Sequence, residues 1–128
     1  MVLDASALLE LLLGTEAGRR IEARVTRARA VHVPHLAEVE VASALRRLVF
    51  AKELAEARAS HALSDLLALP LERHPHAWLL PRVWALRKSV TPYDALYLAL
   101  AEALAEPLLT LDAKLSRAHG HRAVVELA

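Results

Sequence analysis

Apolar positions in this chain form two alternating kinds of run, short ones of three or four residues and longer ones at helical spacing. Met1, Val2 and Leu3 predict a short strand closed by Asp4, followed by a helix from about Ala7 to Leu13 that Gly14 ends. A second helix, about Thr15 to Arg29, sets Ala17, Ile21, Val25 and Ala28 on one face and Arg20, Arg24 and Arg27 on a neighbouring one. The arginine stripe reads as a solvated face, with phosphate or an acidic partner surface as the sharper alternative. Val31, His32 and Val33 predict the next strand, Pro34 breaks it, and HLAEVEVASALRRLVFAK reads as a long helix. Its wheel leaves open whether Glu38 or Glu40 points inward, because Leu36, Val39, Glu40 and Ser43 share one side and Val41, Leu45 and Leu48 another. From Glu53 to Leu69 the pattern is clearer: Ala55, Ala59, Ala62, Leu63 and Leu66 form an apolar face, and Arg58, His61 and Asp65 lie opposite, so Asp65 is expected in solvent. Pro70 to Arg73 reads as a weak third strand, and His76 to Arg87 as a helix with Leu79, Val83 and Leu86 inward. A short helical turn after Asp112 leads through Gly120 to a last strand, Ala123 to Glu126.

The stretch SVTPYDALYLALAEALAEPLLTLD, Ser89 to Asp112, organises the rest. Thr91 supplies an N-cap hydroxyl, Pro92 a first helical residue and Asp94 an acid in the first turn, which together predict a helix start. From Ala95 to Leu104 only Glu102 is charged, so this helix must be covered on most sides. Pro107 stops it, and Leu108 to Leu111 predict a strand that Asp112 closes. Strands separated by helices throughout imply parallel βαβ units with right-handed crossovers: an α/β fold of about five short strands, mostly parallel, with helices on both faces. The length of 128 residues fits one domain, 1–128, without internal repeat or linker.

Composition changes this picture mainly by exclusion. The chain has no cysteine, so disulfides, thiolate metal sites and cysteine nucleophiles are ruled out. Sixteen basic residues against fifteen acidic ones give no gross charge to announce a nucleic-acid partner. Asp4 and Glu10 interrupt the opening apolar residues, which argues against a signal peptide, and no run approaches a membrane span; a cytoplasmic protein is expected. There is no Gly-x-Ser-x-Gly turn and no phosphate-cradling glycine loop, and His74 with His76 and His119 with His121 read as surface turn residues without a third zinc ligand.

The acids are where chemistry concentrates. Of four aspartates, Asp4 ends the first strand, Asp112 ends the fourth and Asp94 opens the central helix, while a glutamate from the helix after the second strand can join them. In a doubly wound sheet, working groups collect beyond the carboxyl ends of the strands. Taken singly, Asp4 and Asp112 have a plain account as caps of the helices that follow them, and Asp94 as part of the Thr91 cap. Taken together, clustered carboxylates raise one another's pKa, and a hard divalent cation, Mg²⁺ or Mn²⁺, relieves that. The chemistry implied is metal-dependent hydrolysis of phosphate esters.

Four segments carry a resemblance: Val2-Leu3-Asp4-Ala5-Ser6; Val33-Pro34-His35-Leu36 running on to Glu40-Val41 and Ala44-Leu45; Tyr93-Asp94-Ala95-Leu96-Tyr97; and Leu109-Thr110-Leu111-Asp112. In that order, over essentially the whole chain, they resemble the PIN-domain ribonucleases, in particular the VapC-type toxins of toxin–antitoxin pairs. The resemblance implies an acidic quartet of Asp4, Glu40, Asp94 and Asp112 that holds Mg²⁺ or Mn²⁺ and cleaves single-stranded RNA, with Ser6 and Thr110 supporting the carboxylates. Glu40 is chosen over Glu38 on the resemblance alone, because it directly precedes the Val-Ala-Ser-Ala-Leu run. It further implies a homodimer and a small antitoxin that lays a helical segment in an apolar groove, for which the helices around Leu45 to Leu67 and the Trp78 and Trp84 region are candidates, although both tryptophans are equally suited to the core. Arg46, Arg47, Arg87 and Lys88 are candidates for drawing RNA to an acidic pocket. Two other readings compete: a PIN-fold interaction domain without catalysis, and a Mg²⁺-binding receiver-like signalling module. The second needs an acceptor aspartate near mid-chain, and none lies between Asp4 and Asp65.

Overall fold

A computed structural model describes residues 1–128. Five short strands, β1 (Val2–Leu3), β2 (His32–Pro34), β3 (Glu72–His74), β4 (Leu108–Thr110) and β5 (Val125–Leu127), form one sheet in the order β3-β2-β1-β4-β5. Every pairing is parallel, with Leu3 opposite Leu109 and Val2 opposite both His32 and Leu108. The chain runs outward from β1 to β2 and β3, then returns past β1 to build β4 and β5. The order therefore reverses between β1 and β4, and there a crevice opens at the strands' carboxyl ends.

The helices are α1 (Ala5–Leu13), α2 (Glu16–Val25), α3 (Leu36–Phe50), α4 (Glu56–Ala68), α5 (Leu80–Ala85), α6 (Pro92–Leu104) and α7 (Ala113–Ser116). Helices α1 to α4 pack on one another along one side, while α6, flanked by α5, lies across β1, β2 and β4 on the other. As its sequence requires, α6 starts on a Thr91 cap with Pro92 in its first turn and is buried from Ala95 through Ala101. Its one charge, Glu102, keeps only 8% of its side chain exposed and is met by Arg82 in two parallel bonds of 2.7 and 2.9 Å. Each fully buried leucine of α6 contributes about 2 kcal/mol of apolar burial, so the helix is held by its surroundings more than by propensity. Where α1 turns into α2, Gly18 presses against the Glu10 carbonyl with no room for a side chain.

Several boundaries differ from the expected ones, each for a local reason. Helix α1 begins at Ala5 rather than Ala7, because Asp4 itself is the cap and accepts from the Ala7 N–H. Strand β4 ends at Thr110, and Asp112 lies beyond it as the cap of α7. The expected helix from His76 to Arg87 is a 3₁₀ turn, Ala77–Leu79, followed by α5, broken where Pro81 cannot donate a backbone bond. Helix α2 stops at Val25, and β3 is Glu72–His74 rather than residues 70–73. On α4, Asp65 is exposed as expected, but Leu63 is exposed too, and Arg58 turns inward to donate to the Leu12 carbonyl at 2.5 Å. Trp78 and Trp84 are surface residues, 54% and 66% exposed. His74 is not a turn residue: it ends β3, with Nε2 3.1 Å from His32 Nδ1.

Candidate active site

Two residues of the buried interior are polar or charged, Asp4 and Thr110, and they are neighbours at the mouth of the crevice. Because Leu3 pairs with Leu109, Asp4 leaves β1 level with the last residue of β4. Asp4 Oδ1 accepts from Ser6 Oγ at 2.7 Å and from the Ala7 N–H at 2.8 Å, and Oδ2 accepts from Thr110 Oγ1 at 2.5 Å. The two hydroxyls are themselves fixed: Ser6 Oγ accepts from the Leu111 N–H at 3.1 Å, and Thr110 Oγ1 from the Asp112 N–H at 2.9 Å. Burial raises the Asp4 pKa, and these bonds from Thr110, Ala7 and Ser6 pull it only part of the way back.

Glu40, on the second turn of α3, is half-buried and accepts from the Tyr97 hydroxyl of α6. Desolvation raises its pKa, the Tyr97 bond opposes this, and the negative charges of Asp94 and Asp4 add to the rise. Burial and Glu40 hold the Tyr97 proton in place far above the ordinary phenol range, so Tyr97 is a fixed donor. Glu38 has another partner altogether: its carboxylate meets Arg73 Nε at 2.7 Å, while the same guanidinium donates to the Leu66, Leu69 and Leu71 carbonyls around the end of α4. The ambiguity of the helical wheel is thereby resolved, with Glu40 facing the acids and Glu38 engaged elsewhere.

Asp94, in the first turn of α6, is not the cap of that helix; the Thr91 hydroxyl accepts from the Asp94 N–H at 3.3 Å. Desolvation raises the Asp94 pKa, the Thr91 hydroxyl lowers it, and the Asp112 charge raises it again. Asp112 caps α7 through Oδ1, which accepts from the Lys114 and Leu115 N–H groups at 2.7 and 3.4 Å. The capping accounts of Asp4 and Asp112 are therefore correct, and they coexist with a shared electrostatic environment linking Asp4, Glu40, Asp94 and Asp112.

None of these four carboxylates has a cationic partner, whereas Glu16, Glu38, Glu102, Glu106 and Glu126 are all ion-paired. The donor set is all oxygen and mutually repelling, which suits a hard divalent cation. As the side chains stand, no three of them close into a metal cage. Sequence reasoning passed over three contributors. Tyr97 lies three residues after Asp94 and so on the same side of α6, a spacing that could have identified it. Lys114 and Arg117 line the same cavity as Asp94, although α7 itself packs on β4 and β5.

Comparison with known proteins agrees with this architecture. A family model described as PIN domain matches residues 1–120. Ribonuclease VapC12 of Mycobacterium tuberculosis is 40% identical over 127 residues, covering 99% of this chain and 98% of that protein. Among solved structures, PAE2754 from Pyrobaculum aerophilum superposes with a TM-score of 0.75 at 22% identity, covering 97% of this chain and 81% of that one. A toxin–antitoxin complex from Klebsiella pneumoniae gives 0.64 at 20% identity, over 90% of this chain and 88% of its counterpart. At those identities the two structures speak for the fold alone. The family match along nearly the full length, and the identity to VapC12, show that this chain belongs to the PIN-domain family.

Proposed function

We propose that this protein is a metal-dependent endoribonuclease that cuts single-stranded RNA, the toxin of a toxin–antitoxin pair. The observation that carries the reading is the set of four carboxylates gathered at the sheet's switch point, each within the electrostatic reach of another and none paired with a cation. Asp4, Asp94, Glu40 and Asp112 are the residues that would hold Mg²⁺ or Mn²⁺. When bound, such an ion supplies positive charge that acidifies an attacking water and stabilises the leaving oxygen of the phosphodiester.

The chain's own residues have separable tasks. Ser6, Thr110 and the Ala7 N–H fix both oxygens of Asp4, so its orientation is set before substrate arrives. Tyr97 does the same for Glu40, donating its hydroxyl to one carboxylate oxygen. Exposed Arg47, Arg87 and Lys88 offset the repulsion between RNA and the acids. The relative named a ribonuclease supports the assignment of activity. Exposed apolar side chains favour docking of a helical antitoxin segment and of a second copy: Val39, Phe50 and Leu67 on α3 and α4, and Trp78, Leu80 and Trp84 around α5. No helix is long and apolar enough to cross a membrane; cytoplasmic RNA is the target this reading expects.

The test is Asp94→Asn, compared with wild type for Mn²⁺ binding by calorimetry, cleavage of a mixed single-stranded RNA pool, and thermal unfolding. Wild type is expected to cut only with metal, and the variant to stay folded, bind metal more weakly and not cut. Because the Asp4, Glu40 and Asp94 pKa values lie above their unfolded values, the metal-free wild type should lose stability as pH rises through the folded values, starting from about pH 4. Asp94→Asn should flatten that decline. Equal metal binding and equal RNA inertness in the two proteins would reduce Asp94 to a structural acid and remove the nuclease reading.

A further inference from the structure

Two cavities flank the carboxylates, and they are unlike. The larger, about 600 Å³, lies between the turn that leads into α6 and the segment around α7; Arg87, Lys88, Lys114 and Arg117 line it, with Asp94 in its wall. The smaller, about 340 Å³, lies between α1 and α3, has Ser6 and Glu40 in its wall, and offers one cation, Arg47. All five cations are exposed, and none is ion-paired with an acid. Arg87 is also pre-oriented: it donates to the Trp84 carbonyl at 2.9 Å, and its guanidinium lies 4.9 Å from the Trp84 ring centre. The chain as a whole carries a net charge of only +1, so four cations facing one carboxylate are a local concentration and not a reflection of composition.

The acids lie between these cavities. Asp94 belongs to the larger and Glu40 to the smaller, and the charge of Asp94 is felt at Glu40. A strand laid across the carboxylates therefore passes four cations on one side and one on the other. His119 is the only aromatic ring lining the larger cavity, so contacts there go to backbone phosphates more than to stacked bases. Resting on the nuclease reading above, we propose that the protein grips RNA asymmetrically: the Arg87, Lys88, Lys114 and Arg117 cavity seats the phosphates on one side of the cut bond, and Arg47 makes a single contact on the other.

The test uses a single-stranded oligoribonucleotide that the wild type cuts at one bond, with neutral methylphosphonate linkages placed one at a time on either side. In the wild type, neutral linkages on one side should lower kcat/KM by about tenfold, and those on the other side distinctly less. In the double variant Lys114→Ala, Arg117→Ala, which leaves Arg87 and Lys88 in place, the sensitive side should lose much of its sensitivity, and the dependence of log kcat/KM on log salt should flatten by about 0.7 for each phosphate that is no longer neutralised. Arg47→Ala should flatten it by about half as much as the double variant, and Arg27→Ala, an exposed arginine outside both cavities, should leave it unchanged. Equal losses on the two sides in the wild type, or wild-type losses retained in the double variant, would overturn the asymmetric grip while leaving the nuclease intact. If the wild type cuts no RNA with metal present, the nuclease reading fails and the inference goes with it.

Discussion

Thr110→Val isolates what holds the central acid in place. Valine preserves the shape of threonine, so packing is kept and no cavity is left; only the hydroxyl is lost. That hydroxyl donates to Asp4 at 2.5 Å and accepts from the Asp112 N–H at 2.9 Å, at a side chain with no solvent exposure. A hydrogen bond to a charged group contributes about 1.5–3 kcal/mol. The Asp112 N–H adds about 1 kcal/mol when it loses its acceptor, the low end of the range because Asp112 is only half-buried. The sum is about 2–4 kcal/mol, a fall in Tm of about 10 °C for a domain of this size. The assay is thermal and urea unfolding in EDTA across pH. The folded-state pKa of Asp4 is raised by burial, so ionised Asp4 destabilises the fold as pH rises, and without Thr110 it does so more strongly. The deficit of the variant should therefore be smallest near pH 4 and grow toward neutrality. Thr110→Ser keeps the hydroxyl and should lose about 1 kcal/mol for its missing methyl group, with no growth of the deficit with pH. A valine variant within about 0.5 kcal/mol of wild type at pH 7, or a deficit that does not change with pH, would show that Asp4 does not depend on Thr110.

Two further substitutions probe the frame around the site. Arg82→Met removes the partner of the nearly buried Glu102 and a bond of 3.1 Å to the Gly120 carbonyl, and should cost about 2 kcal/mol, less than a fully buried pair because Arg82 is 35% exposed. Glu102 has a lowered pKa, chiefly through Arg82, so this stabilisation is present above about pH 4 and disappears as pH falls through the folded value; urea titrations should show the gap to wild type closing in acid, opposite to Thr110→Val. Gly18→Ala would drive a methyl group into the Glu10 carbonyl, a backbone atom that cannot step aside, and should cost about 3 kcal/mol, read as a drop in urea midpoint with unchanged m-value.

The alternation of short apolar runs with helical ones was enough to read an α/β sheet and its strands, because that pattern is imposed by burial on both faces of a parallel sheet. Locating Asp4, Asp94 and Asp112 at its working edge followed from the same alternation, since strand ends and helix starts are marked by caps and prolines. Glu40 could not be separated from Glu38 in this way. What distinguishes them is Arg73, which lies on β3 and claims Glu38 through a contact 35 positions away in sequence. Trp78 and Trp84 were undecidable for a similar reason, because the exposure of a tryptophan on a single short turn depends on what the rest of the chain leaves uncovered. The wheel of α4 erred at Leu63 and Arg58; Arg58 finds the Leu12 carbonyl, 46 positions away in sequence, a partner that periodicity within one helix does not indicate. Lys114 and Arg117 were invisible as site residues, since they share a cavity with Asp94 only through where the tertiary fold sets down a four-residue helix.

Strand β1 is two residues long and ends one position before Asp4. Each residue of a strand advances the chain by about 3.3 Å and reverses the face toward which its side chain points. Losing or gaining a single residue between Leu3 and Ser6 would therefore move the Asp4 carboxylate by a full step relative to the strand or to Ser6 and the Ala7 N–H, and break its match to Thr110, while leaving the composition of the core nearly unchanged. The turns after α2 and α3 carry no such constraint. A library of single-residue insertions and deletions should thus be tolerated around Arg27 to Arg29 and Lys52 to Leu54 and depleted between Leu3 and Ser6, so that spacing, more than residue type, marks this link between strand and helix.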